Sequence, residues 1–137
     1  MCGGVSFNAD NKPRKVFFPV PGASLPVVTR DQDIAMLVWG RRKEEPGNLP
    51  AGGWARHESI LSGKWNWYQP VPVKIAVESF MEKDHAKQSH WFELNAGEFI
   101  QGLVARQGDE SRVYVVTVEP EDQAIHDRWP RIVTNQQ

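Results

Sequence analysis

Cys2 carries the only thiol of this chain and stands directly behind the initiator, in Met1-Cys2-Gly3-Gly4. Trimming of Met1 leaves a thiol and a free α-amine on adjacent atoms of one residue. With reference pKa values of about 8.5 for the thiol and about 7.7–8.0 for the amine, both groups are partly nucleophilic at neutral pH, and the neighbouring glycines give little steric cover. An aldehyde meeting such a residue forms an imine with the amine and then accepts the thiol, closing a five-membered thiazolidine ring. The second attack is intramolecular and avoids most of the entropy cost of a bimolecular step. A cysteine at a terminus is equally a residue of a frayed end, so the chemistry requires partners contributed by other segments.

Composition bounds what those segments build. A chain of 137 residues with 40% apolar and 24% charged side chains has the usage of one globular domain. Its apolar runs are too short to span a bilayer, no secretory signal is evident, and a single cysteine forms no internal disulfide, which points to a reducing, cytoplasmic setting. A net charge of −1 announces no polyanion partner, so a nucleic-acid site would be a local patch. Six tryptophans are many for this length; their faces suit both cores and base stacking. No phosphate-binding glycine loop and no serine-centred elbow is found. The histidines at 57, 85, 90 and 126 lack cysteine companions and form no zinc framework, so neither a metal nor another cofactor is expected.

The positioning elements read as strands. Pro13, Pro19, Pro21 and Pro26 break the first third into loops and short extended pieces. Residues 25–29 and 34–39 read as a hairpin. Residues 41–53, charged and then rich in glycine and proline, read as a mobile loop. A turn or two of helix is expected over 56–62, an extended stretch over 71–81 and a short strand over 91–94. Residues 97–104 suit either strand or helix. The β-branched run 113–118 is a buried strand, and residues 119–122 end it and could start a helical turn leading to His126. The whole reads as a single α+β domain over 1–137, mostly antiparallel and sheet-rich, partly barrel-like, with a few short helices.

Five separated pieces carry a resemblance: Met1-Cys2-Gly3, Trp39-Gly40, Trp54-Ala55-Arg56-His57-Glu58-Ser59, Ser79-Phe80-Met81-Glu82 and His126-Asp127-Arg128-Trp129-Pro130. In order and approximate spacing they resemble the SOS-response-associated peptidase (SRAP) family, whose members carry Met-Cys-Gly-Arg, Trp-Gly-Leu-Ile-Pro, Asn-Ala-Arg-x-Glu-Thr, Gly-Phe-Tyr-Glu-Trp and His-x-Arg-Met-Pro. The resemblance implies binding of single-stranded DNA and a covalent thiazolidine between Cys2 and the aldehyde of an abasic site. Under it Cys2 is the nucleophile, Glu82 and His126 match the family's active-site glutamate and histidine, and Arg56 matches the arginine that holds the DNA backbone. Proton traffic during imine formation suits a carboxylate and an imidazole, and an arginine fork suits phosphate. Trp39, Trp54, Arg41, Arg42 and Arg56 would line the groove for single-stranded DNA.

The departures are equally specific. Trp54 stands where the family has asparagine, and its indole offers one N–H donor and no acceptor; Asn48 is a conceivable replacement for the lost amide. Gly4 stands for arginine, which leaves Lys12, Arg14, Lys15, Arg41, Arg42 and Lys43 as phosphate partners. Arg41-Arg42-Lys43 replaces Leu-Ile-Pro, Lys83 follows Glu82 where tryptophan is usual, and the chain ends sooner after His126 than typical members do. The pattern is that of a shortened, divergent member. Two other classes stay open: an N-terminal-cysteine hydrolase, either peptidase or amidotransferase-like, in which Cys2 performs acyl transfer, and a non-catalytic DNA-binding module that has lost the chemistry.

Overall fold

A computed structural model describes residues 2–120 and 128–135. The chain opens on β1 (Gly4–Ala9) and β2 (Lys12–Phe17), an antiparallel hairpin that the proline content of this region conceals. Its turn is made by Asp10 and Asn11 at φ 52° and 63°, the left-handed backbone that Asp and Asn tolerate in two-residue hairpin turns. Pro13 is compatible with β2 because that strand is the edge of its sheet. The hairpin expected over 25–29 and 34–39 is β3 (Ser24–Val28) paired antiparallel with β4 (Ile34–Val38).

The remaining elements are β5 (Trp54–Arg56), α1 (His57–Leu61), a 3-10 turn at Asn66–Tyr68, β6 (Val71–Ile75), β7 (Ser79–Lys83), β8 (Ser89–Glu93), β9 (Glu98–Gln107), β10 (Glu110–Val118), β11 (Trp129–Pro130) and β12 (Ile132–Thr134). The extended stretch expected over 71–81 is thus two strands, β6 and β7, and they belong to different sheets. The ambiguous segment 97–104 lies within the long strand β9. Residues 119 and 120 follow the end of β10 as expected, while the helical turn expected after them lies outside the described residues, as does His126.

Two sheets form one sheet-rich domain with little helix. The smaller has the order β2-β1-β7-β8; the larger runs β11-β10-β9-β6-β3-β4, with β12 on β9 and β5 parallel to β10. Neither sheet closes into a barrel. A single parallel bridge from Trp39 to Val113 nevertheless brings the end of β4 against β10. Alternate residues of the central strands feed two cores, as the two-residue period of a strand requires. Ile100, Val104, Val113 and Val115 point into the larger core with Val5, Phe7, Leu25, Trp39 and Phe80. Leu103, Ala105, Tyr114 and Val116 face the other way and are covered by Leu49, Ala55 and Trp65.

Residues 41–53, expected to be mobile, are instead fastened. Arg41 donates from Nε to the Leu49 carbonyl at 2.6 Å and from Nη1 to the Glu45 carbonyl at 2.7 Å. The Arg41 and Gly52 backbones are hydrogen-bonded to each other at 2.7 and 3.1 Å, and Leu49 is inserted into the smaller core with 1% of its surface exposed. Gly40, at φ 58°, lies so close to the Gly52 carbonyl that a Cβ there would run into it. The polar composition of this loop hid the fact that its charges bind its own backbone.

Candidate active site at the amino terminus

Cys2 is not at a frayed end. It is fully buried in the larger core, and backbone hydrogen bonds tie down the residue beside it: the Gly3 N–H donates to the Met81 carbonyl at 3.0 Å and the Phe18 N–H donates to the Gly3 carbonyl at 3.2 Å. The Cys2 thiol lies 3.4 Å from the Gly4 carbonyl. Gly4 pairs with Met81 in the ladder between β1 and β7. Continued by one residue, this register sets Glu82 opposite Gly3, the neighbour of Cys2.

Glu82 follows the inward alternation of β7 behind Phe80 and has no solvent-exposed surface. Burial pushes its carboxyl up to about 7, and the charge of the chain's amino terminus pulls the other way. Burial also pushes the Cys2 thiol well above its ordinary value, and the Glu82 charge adds to that rise. The two groups therefore sense each other across a site with little water. A carboxyl poised near neutrality serves both as proton donor and as proton acceptor.

Trp54 supplies the third part. Its indole Nε1–H donates to the Cys2 carbonyl at 2.6 Å, across 52 residues of sequence. The single donor of this indole is thus used on the cysteine's own backbone. Phe18 packs against Trp54 at 4.9 Å between ring centroids and against Trp39 at 5.6 Å. Nothing in the sequence singles out Phe18; its role follows from the turn after β2 folding back over Gly3.

Several expected groove residues are elsewhere. Trp39 is completely buried and its indole N–H donates to the Gly53 carbonyl at 2.9 Å, so its faces serve the core and not a ligand. Arg42 is also buried. It donates to the carbonyls of Trp39, at 2.8 Å, and of Phe18, and its guanidinium lies over the Phe18 ring at 4.5 Å. Arg41 is committed to its own loop, as described above. Backbone carbonyls have taken up both guanidinium groups, those of its own loop for Arg41 and those of Trp39 and Phe18 for Arg42. Arg56, by contrast, is exposed at the end of β5 and Trp54 is half-buried. Asn48 is exposed and carries no hydrogen bond to Cys2. His126 lies outside the described residues.

Arg128 joins two of the five pieces and had no role assigned from sequence. It is 7% exposed and grips both oxygens of Glu58 at 2.9 Å, while Nη2 also donates to the Thr117 carbonyl at 2.7 Å. The guanidinium holds the Glu58 carboxyl far down, at about 2. Next to it, Trp129 meets Phe80 edge-on at 4.8 Å. His85 is exposed, and His90, which pairs with Glu82 across the β7–β8 ladder, is bound at 2.8 Å to Asp84. Among the described residues no group of three or more His, Cys, Asp and Glu side chains could hold a metal ion. No helix among them is long and apolar enough to cross a membrane. No family model matches the chain, and no curated protein matches it.

Proposed function

We propose that this protein is a divergent SRAP-type sensor that traps abasic sites in single-stranded DNA as a thiazolidine on Cys2. The observation that carries the reading is the convergence of Cys2, Trp54 and Glu82, three residues far apart in sequence, on one buried point. The chemistry belongs to the form of the chain that starts at Cys2. Its amine adds to the aldehyde carbon of the ring-opened sugar, and the carbinolamine loses water, its oxygen taking a proton that Glu82 is poised to deliver. The sulfur then adds to the imine carbon and the thiol proton passes to nitrogen. One water leaves in total. A thiol raised by burial needs a base at this step, and the carboxylate left after protonation of the departing oxygen is that base. His126 is proposed to assist ring opening.

Arg56 is the exposed cation suited to the DNA backbone, and Trp54 offers a partly open ring for stacking, worth about 1–3 kcal/mol per base. Cys2 and Glu82 are covered in the described conformation, so DNA entry requires the chain around them to part. A partly open barrel made by the larger sheet and its Trp39 bridge, and a cytoplasmic location, belong to the same proposal.

The test is a denaturing gel of the purified protein with single-stranded DNA bearing one abasic site, alongside an intact mass that reports whether Met1 is present. A heat-stable shifted band that disappears in Cys2→Ala and weakens in His126→Ala is expected. The complete burial of Cys2 favours one second reading, a DNA-binding module in which the cysteine has become a core residue. Salt-sensitive binding with no shifted band, from protein that starts at Cys2, would establish that alternative.

A further inference from the structure

A cavity of about 730 Å3 opens where β3 and β6 diverge, away from the cysteine site. Its volume falls in the range of about 300–1,000 Å3 usual for small-molecule sites. Ser111 of β10 lines it, whereas Trp54, which holds Cys2, pairs with Val115 four residues further along that strand. None of Cys2, Trp54 and Glu82 lines it.

The lining is unusual in three respects. Four cations border it, Arg30, Lys74, Arg106 and Arg131, and no carboxylate does, although the chain as a whole holds 17 acidic residues to 16 basic ones. Asp31, Asp33 and Glu110, the acids adjoining these strands, line none of it. The four charges are also uncompensated. Arg131 donates to the side-chain oxygen of Gln101 and Lys74 to the Asn135 carbonyl at 3.4 Å, both neutral acceptors. Arg30 and Arg106 are exposed, and no described carboxylate forms an ion pair with either. Finally, the floor is aliphatic: Val27, Leu37, Val73 and Val104 contribute to it, and none of the aromatic rings that would stack on a nucleobase does.

A concave site with one sign of charge and low-dielectric walls concentrates anions, and an aliphatic floor without rings selects a hydrocarbon body over a base. We propose that this cavity binds an aliphatic carboxylate of the fatty-acid class, its chain on the valine and leucine floor and its headgroup received by the guanidinium groups of Arg30 and Arg106. Arginine forks accept carboxylates bidentately. The assignment is independent of the cysteine site.

Calorimetric titration of the full chain with octanoate and decanoate tests it. Decanoate is expected to bind more tightly than octanoate by about fourfold or more, because each methylene buried on the floor contributes about two- to fourfold. The double variant R30A/R106A changes two exposed side chains and should weaken decanoate at least about tenfold, with the yield of any abasic-site crosslink unchanged. Decanol, of equal chain and no charge, should bind more weakly than decanoate. Absence of decanoate binding, an affinity independent of chain length, or displacement of decanoate by a short oligothymidylate whose own binding is lost in R30A/R106A would overturn the proposal, the last in favour of a nucleic-acid phosphate site.

Discussion

Glu82 shows how a single side chain ties the stability of this protein to the chemistry proposed for it. Its carboxyl is raised from 4.5 to about 7 by burial, so the folded state holds its proton more firmly than the unfolded state does. Below pH 4.5 both states are protonated and the group costs nothing; between pH 4.5 and 7 stability falls as pH rises, and above 7 the loss is complete. At about 1.4 kcal/mol per pKa unit the loss is up to about 3 kcal/mol. Glu82→Gln should therefore stabilise the fold at pH 8 and lose that advantage at pH 4, as denaturant titrations at the two pH values would reveal. The same variant should slow the proposed crosslinking by about 100-fold or more, the usual scale of acid–base assistance, and remove the dependence of its rate on a group titrating near neutrality. Trp54→Phe keeps the ring and deletes the bond to the Cys2 carbonyl. It should destabilise by about 1–3 kcal/mol, the cost of a buried carbonyl left unpaired, and reduce the crosslinking rate; a rate equal to wild type would refute a positioning role for the indole.

Among the elements, the clamp from Arg128 to Glu58 and Thr117 holds α1, β10 and the start of β11 together. Short elements need such a device: α1 has five residues and none fully buried, with Ile60 alone packed against the smaller core. Arg128→Ala should lower stability by about 1–3 kcal/mol through the unpaired Thr117 carbonyl, read as a reduced denaturation midpoint. Because Glu58 is held at about 2, its share of the clamp is fully present above about pH 4.5 and fades as pH falls through 2. The gap between wild type and variant should narrow in acid accordingly. The hairpin β3–β4 and strand β10 were legible because their apolar runs and flanking turns belong to the local chain. The β1–β2 hairpin was not, because prolines that an edge strand accepts read as loop when the sheet order is unknown.

At the scale of the whole molecule, the two cores lie on opposite faces of the same central strands, β9 and β10. Loss of packing on one face removes support from the other, so unfolding should be a single cooperative transition. Leu49→Ala, in the smaller core, should cost about 2–5 kcal/mol; fluorescence and far-UV circular dichroism should still give coincident curves, whereas two separated transitions would show the cores to be independent. The sequence by itself determined a sheet-rich domain and the aminothiol capability of its second residue, since propensity, alternation and functional-group chemistry are properties of local chain. Glu82 and Trp54 were singled out only by the resemblance of scattered short motifs to a family pattern. Only the tertiary structure decided which charges remain free. Arg41 and Arg42 look like phosphate ligands in sequence and are consumed by backbone carbonyls, Arg41 by those of its own loop and Arg42 by those of Trp39 and Phe18, while Arg30 and Arg106, from separate hairpin ends, are left uncompensated over one cavity. Long-range strand pairing brings Cys2, Trp54 and Glu82 together, and no local pattern encodes which strands will be neighbours.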